Sequence, residues 1–254
     1  YDNLGNLFNI SQGVVEAPDK IDKKIGVFII NEEELTNLKL TAKENQVIKK
    51  YLNTSDTSKY KIDWNGQYLI FSDKITRDKI AKNEFPNLKK HLDKYTDYIT
   101  SSNKPYGIHR DRSSKTNPFE QPKLICKGMF KEPEFVYDDN SYYVGFSFSV
   151  IWQQDENFDI KFLLGLLNSN FGKYWFTNNG KKRGVGVDIG VEKFREFPIP
   201  KATSKEQQKI IDLVNTISEL KNQAKETIKQ ENELNTFVNK IYKLTKQDID
   251  LING

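Results

Sequence analysis

Cysteine, histidine and methionine are almost missing from this chain: its 254 residues hold one cysteine, two histidines and one methionine. A single cysteine, Cys126, excludes an internal disulfide, and its place in the apolar stretch KLICKGMF fits a reducing cytoplasm. With only His91 and His109 beside it, a zinc site of Cys and His has too few ligands. Long hydrophobic runs are missing too. No stretch approaches the roughly 20 apolar residues that span a bilayer, so no membrane segment is expected. The chain opens on Tyr1 without a methionine or a secretory signal pattern, and is expected to be cut from a longer parent. A surplus of one charge sign is absent as well, since 39 Lys and Arg against 35 Asp and Glu leave only +4.

The distribution of charge says more than its sum. Residues 104–131 carry seven Lys and Arg against Asp111 and Glu120, whereas residues 132–160 carry seven acids and no Lys or Arg. A second cationic block, Lys173, Lys181, Lys182 and Arg183, contains no acid. Such separation is the expected footprint of a polyanion-binding surface, with solvated faces of opposite sign as the bland alternative.

The first two hundred residues read as short strands, loops and some helix. KKIGVFII has the Ile and Val content of a buried strand, and Asn65-Gly66 in YKIDWNGQYLIFS predicts a hairpin between its flanking arms. Thr41 and Glu44 form a capping box that predicts a helix in TAKENQVIKKYL. Leu88, Leu92, Tyr95 and Ile99 recur at helical spacing. Residues 101–121 show no period and are rich in Gly, Pro, Ser, Asn and Arg, so a long and therefore functional loop is expected. Asp138-Asp139-Asn140 reads as a turn between aromatic-rich strands, and IKFLLGLLNSNFGKYWF as one buried helix. Pro198 and Pro200 suggest a boundary between a globular unit, 1–200, and a helical segment, 201–254. In that segment Ser204-x-x-Gln207 is a capping pattern, and apolar positions from Ile210 to Ile228 make one long helix with a break near 231–233. Thr245-x-x-Asp248 starts a short last helix. The fold class is thus α+β: a mixed, β-rich domain followed by a long helix and a short one.

NNGKKRGVGVDIG, residues 178–190, offers glycines beside three cations, yet it fails as a nucleotide loop. A dinucleotide fingerprint needs G-x-G-x-x-G between a strand and a helix, whereas here Gly184-x-Gly186 is followed by Gly190 and preceded by a predicted helix. SNKPY at 102–106 approaches the Asn-Pro-Pro-Tyr motif of adenine methylation but places Lys104 where the first proline belongs. Asp155 and Asp159-x-Lys161 fit a nuclease pattern only by force, since they lead into a helix. His109 has no nucleophile or orienting acid in reach of its sequence. No catalytic residue, metal site or cofactor site is assigned to this chain.

The ordered segments PKLICKGMFKEPEFVYDDNSYYVGFSFSVIW, DIKFLLGLLNSNFGKYWF and FPIP resemble the TaqI-like C-terminal specificity domain. That domain is attached to N6-adenine DNA methyltransferases and combined type II restriction-modification enzymes. YLNTSDTSKYKIDWNGQYLIF and FPNLKKHLDKY are similar to its earlier elements, and IYKLTKQDIDLI to its last helices and to those of type I specificity subunits. The resemblance implies a target-recognition domain for double-stranded DNA in a bacterial cytoplasm. It also implies a catalytic domain with its S-adenosylmethionine pocket upstream in the parent, with linked endonuclease activity left open. The runner-up is a specificity-subunit-type module that docks separate modification subunits through its C-terminal helix. On the recognition-domain reading the DNA-binding candidates are Tyr106, His109, Arg110, Arg112 and Lys115 of the long loop, and Asn178, Asn179, Lys181, Lys182 and Arg183 of the glycine segment. Arg110 and Arg112, two apart in an extended segment, are expected to project to one side as guanidinium forks. Tyr106 would stack or wedge.

Overall fold

A computed structural model describes residues 1–16, 20–22, 25–99, 103–113, 116–184 and 186–254. The fold is α+β, as its sequence implied. A central antiparallel sheet runs in the order Val136–Asp138, Lys123–Lys127, Phe148–Gln153, Phe8–Gln12. Side chains alternate across it. Leu124, Cys126, Ile151, Ile10 and Phe8 face a core shared with the later helices. Ile125, Val136, Phe148 and Val150 face a second core. There the sheet Tyr143–Val144, Ile48–Leu52, Gln67–Ile70, Ile29–Asn31 meets the helices Lys74–Ala81 and Pro86–Leu92. The inner strands Lys123–Lys127 and Phe148–Gln153 are buried on both faces, which accounts for their apolar runs without strict alternation.

Local signals placed several helix starts correctly. Thr41 and Glu44 form the capping box, yet the helix lasts only Ala42–Asn45, because the β-prone run after it enters the strand Ile48–Leu52. The buried Glu44 carboxylate also accepts the Asn87 and Leu88 amides at 2.7 and 3.0 Å, capping the helix Pro86–Leu92. Burial opposes its ionisation, but these donors and Thr41 hold its pKa below the usual value. The long amphipathic stretch is shorter than its period suggested, a helix to Leu92 and a 3-10 turn Asp93–Tyr95, with Leu88, Leu92 and Ile99 buried.

Several expectations are corrected where a non-local partner outweighs the local signal. Gly66 takes the left-handed turn conformation at φ 81°, but its two arms do not pair with each other. Lys61–Ile62 pairs with Thr57–Ser58, while Gln67–Ile70 joins two other strands. KKIGVFII is split into Ile25–Gly26 and Ile29–Asn31. The strands around Asp138-Asp139-Asn140 belong to different sheets, and Tyr143–Val144 runs parallel to Ile48–Leu52. IKFLLGLLNSNFGKYWF is two helices, Ile160–Leu167 and Asn170–Asn179, because the Ser169 hydroxyl accepts from the Gly172 amide and caps a new start. The C-terminal capping box is Thr203 with Glu206, one residue before the expected pair. The long helix ends at Asn222, so Ile228 opens a second one, Ile228–Ile241; the last helix, Lys246–Asn253, starts at Thr245 as expected.

The C-terminal helices spend their seam on this chain's own core. Ile210, Val214 and Leu234 close on Gly165 of the helix Ile160–Leu167, where an added Cβ would lie 2.4 Å from Ile210. Glu231 adds a polar tie, reaching Lys59 at 2.8 Å, Lys221 at 3.3 Å and the Thr227 hydroxyl at 2.7 Å. Burial opposes its ionisation, yet Lys59, Thr227 and Lys221 outweigh that and hold its pKa at about 2. A depressed carboxylate pKa contributes stability fully above its ordinary value of 4.5 and loses it as pH falls toward 2. Glu231→Gln is therefore expected to reduce the acid sensitivity of unfolding within that window. Urea titrations above and inside the window check this, and identical acid slopes for both proteins refute it.

Candidate nucleic-acid interface

The glycine segment is a β-hairpin and not an irregular loop. Lys181–Arg183 pairs with Gly186–Asp188, which pairs in turn with Met129–Phe130. Gly184 sits at its tip with φ 57°. Val187 and Ile189 anchor the hairpin in the helical core and press against Gly180, where a Cβ would lie 2.0 Å from Val187. The three cations are exposed but not equivalent. Lys182 lies opposite Val187, on the core-side face of the ribbon. Lys181 and Arg183 share the other face, where Lys181 stands opposite Asp188 and the Arg183 Nε lies 3.4 Å from the Asp188 carboxylate. Asn178 and Asn179 belong to the preceding helix. Their amides donate back to the Tyr174 and Trp175 carbonyls at 2.7 and 2.9 Å.

The long loop is held against the body at several points. Arg110 exchanges two backbone hydrogen bonds with Val15, at 2.9 and 3.1 Å, which fixes its position while its side chain stays exposed. Extended geometry ends at Arg112, whose φ is 64°. The expected extended projection of the two arginines is thus corrected. The Arg112 guanidinium folds onto the Gly13 carbonyl and the Gln12 side chain, each at 3.4 Å, and burial and the neighbouring Arg110 charge lower its pKa. Asp111 braces neither arginine by hydrogen bond; its carboxylate accepts from the Ser113 amide and hydroxyl. Tyr106 is 8 % exposed, its hydroxyl donates to Asp93 at 2.6 Å, and the Lys89 ammonium lies 5.2 Å from its ring centre. It is a packing residue in this conformation and not a projecting wedge. His109 is half-buried in the same loop, and Lys115 lies outside the described residues.

A tight turn, Gly145–Phe146–Ser147, connects these two basic segments. It carries the chain from Tyr143–Val144 in one sheet to Phe148–Gln153 in the other. On one side Gly13 and Val14 donate to the Phe148 and Val144 carbonyls at 3.0 and 2.9 Å. The fit excludes any side chain at Gly13, where a Cβ would lie 2.2 Å from two carbonyl oxygens. On the other side the Gly128 amide donates to the Ser147 carbonyl at 2.8 Å, one residue before Met129 and the basic hairpin. A continuous path of hydrogen bonds and strand pairings thus links Arg110 and Arg112, through Gln12-Gly13 and the turn, to Lys181–Arg183. Beside the turn opens a cleft of about 550 Å³, lined by Glu16, Tyr51, Asn53, Thr54 and Phe146. Two large apolar side chains along this path are exposed, Phe146 at 55 % and Met129 at 56 %. Sequence reasoning missed both. An aromatic inside YYVGFSFS looks like any strand residue, and only Gly145 hinted at a turn.

The family described as the TaqI-like C-terminal specificity domain matches residues 49–199, from the strand Ile48–Leu52 through the basic hairpin to the strand Pro198–Ile199. The chain belongs to this family. Among relatives of the TaqI-like specificity domain, it is 26% identical over 225 residues to the type II methyltransferase M.MjaIV of Methanocaldococcus jannaschii. That match covers 84% of this chain and 72% of the relative. It is 24% identical over 258 residues to the type II methyltransferase M.BstVI of Geobacillus stearothermophilus, covering 94% of this chain and 40% of the relative. In fold it is similar to the type IIL restriction-modification enzyme MmeI, solved in complex with DNA. The TM-score is 0.71 at 13% identity, over 96% of this chain and 34% of that one. The type IIG restriction endonuclease BpuSI gives a TM-score of 0.51 at 12% identity, over 94% of this chain and 31% of the enzyme. The chain thus spans well under half the length of three of these four proteins. Among the described residues no helix is long and apolar enough to cross a membrane.

Proposed function

We propose that this specificity domain selects the DNA sequence on which a restriction-modification enzyme acts, and that the surface from Arg110 to Arg183 is its DNA-facing side. The observation that carries this reading is the joining of two sequence-distant cationic segments by one rigid turn. Exposed Lys181, Lys182 and Arg183 are suited to phosphates, which position the protein without selecting a sequence. Arg110, fixed by its backbone with the guanidinium exposed, is suited to a guanine edge. Asn178 and Asn179 serve the helix that carries the hairpin.

The parent is proposed to be an adenine-specific methyltransferase, as two relatives are type II methyltransferases. Whether it also cuts DNA is left to the parent's other domains. The S-adenosylmethionine that such a methyltransferase uses is proposed to bind the parent's catalytic domain and not this specificity domain. A module that docks separate subunits through its C-terminal helix is less well supported, since Ile210, Leu213, Val214 and Ile217 are buried in this chain's own core.

Arg110→Ala is expected to cost about 1–3 kcal/mol on the cognate duplex and much less on random DNA. Arg112→Ala is expected to disturb the Gly13 contact and lower both affinities together. Titrations of each variant on both duplexes check this. Equal losses for Arg110→Ala on both duplexes would move base reading away from this loop.

A further inference from the structure

The exposed Phe146 is not explained by positioning on phosphates. Burying a phenylalanine is worth about 1.5–3 kcal/mol, and a ring left outward keeps that free energy available to a partner. Here the backbone prevents retreat. Phe148 donates to the Gly145 carbonyl at 3.0 Å across the turn, and Gly13, Val14 and Gly128 hold the strands on either side. Gly145 is packed so closely that a Cβ would lie 2.3 Å from the Tyr51 hydroxyl, which itself donates to the buried Glu16 at 2.8 Å. The result is a rigid turn that presents one aromatic ring outward, with Met129 exposed on a neighbouring segment. The turn's hydrogen-bonded neighbours lead on one side through Gly13 to Arg112 and on the other through Gly128 to the basic hairpin.

Cations on both flanks make the partner of this ring a polyanion. On a nucleic acid, the apolar surface large enough to cover a phenyl ring is the face of a base, which is reached by opening a stack. Apolar side chains that enter a duplex do so as wedges between base steps. We infer that Phe146 is such a wedge: it inserts beside a base of the bound duplex, stacks on it, and the cleft behind it receives the edge of the displaced pair. The cleft is of suitable size and character, with about 550 Å³ and polar side chains from Asn53, Thr54 and Ser147. This inference rests on the DNA-recognition reading, and adds a base-face contact to phosphate positioning and edge reading.

An abasic site removes the stacking that a wedge must break, so it tests the idea without knowledge of the recognition sequence. Fluorescence anisotropy would compare a labelled random-sequence duplex with the same duplex carrying one abasic site. The full chain is expected to bind the abasic duplex about tenfold more tightly. Phe146→Ala should lose that preference, and Phe146→Trp should retain it. An unchanged melting temperature for Phe146→Ala, as its exposure implies, assigns the loss to contact and not to misfolding. A wild-type chain that binds intact duplex with no abasic preference overturns the wedge alone, as does Phe146→Ala with the preference intact. A loss of affinity matched by replacing thymine with uracil assigns the ring to thymine methyl groups, and also overturns it. Binding to neither duplex sinks the DNA-recognition reading together with the wedge.

Discussion

Replacing Lys181, Lys182 and Arg183 together by alanine is expected to weaken binding to every duplex nearly equally and to flatten its salt dependence. Each phosphate contact contributes about 0.9 to the slope of log affinity against log salt. Three contacts would make up to about 2.7, so the gap between wild type and variant should narrow roughly 40-fold as salt rises fourfold. The Arg183–Asp188 pair does not forbid this. Arg183 is exposed and Asp188 half-exposed, such surface pairs are worth about 0–1 kcal/mol, and a phosphate can displace the carboxylate. A competing explanation is that lysines on the outermost strand of the small sheet simply deter edge-to-edge pairing of protein chains. That explanation predicts an unchanged salt slope and more self-association of the variant. Titrations at several salt concentrations, with light scattering on the same samples, separate the two.

Lys123→Met is expected to give the largest loss of stability. The Lys123 ammonium and Asp138 carboxylate lie 2.5 Å apart, and neither side chain is accessible to solvent. Burial lowers the Lys123 pKa and Asp138 works against that, so the ammonium depends on its partner. Lys123 also donates to the Phe119 carbonyl at 2.8 Å, while Asp138 accepts the Asn140 and Tyr142 amides at 2.8 and 3.0 Å. The pair thus ties the end of the long loop to the turn that leads to Tyr143. Removing one partner strands a buried charge, at a cost of about 3–5 kcal/mol. For a chain of this size that is a fall in Tm of roughly 6–20 °C. In the double variant Lys123→Met/Asp138→Asn the stranded charge is gone, and part of the loss should be recovered. Calorimetry of both variants checks the argument; a double variant less stable than the single one would show that the ion pair is not the cause.

The interplay of charge and fold marks the boundary between what the sequence by itself determined and what the tertiary structure decided. Capping pairs at Thr41/Glu44 and Thr245/Asp248 were legible because they act across three residues of one backbone turn. Family membership was legible in the order of apolar and aromatic segments across the chain. The cations 181–183 were legible as candidates because glycines and missing acids surround them, and Arg110 because it lies in a long segment without period. Which cations are left to meet a ligand was not legible. The acidic stretch that looked like a separate face folds back on the basic one: Asp138 takes Lys123, Glu134 takes Lys127, and Glu132 takes Lys173. The arms of Asn65-Gly66 likewise chose distant partners, and Phe146 became a projecting ring only because three separate segments hold its turn. Caps and turns are decided by neighbours along the chain, whereas ion pairs, strand partners and exposure are decided by residues that only the fold brings into contact.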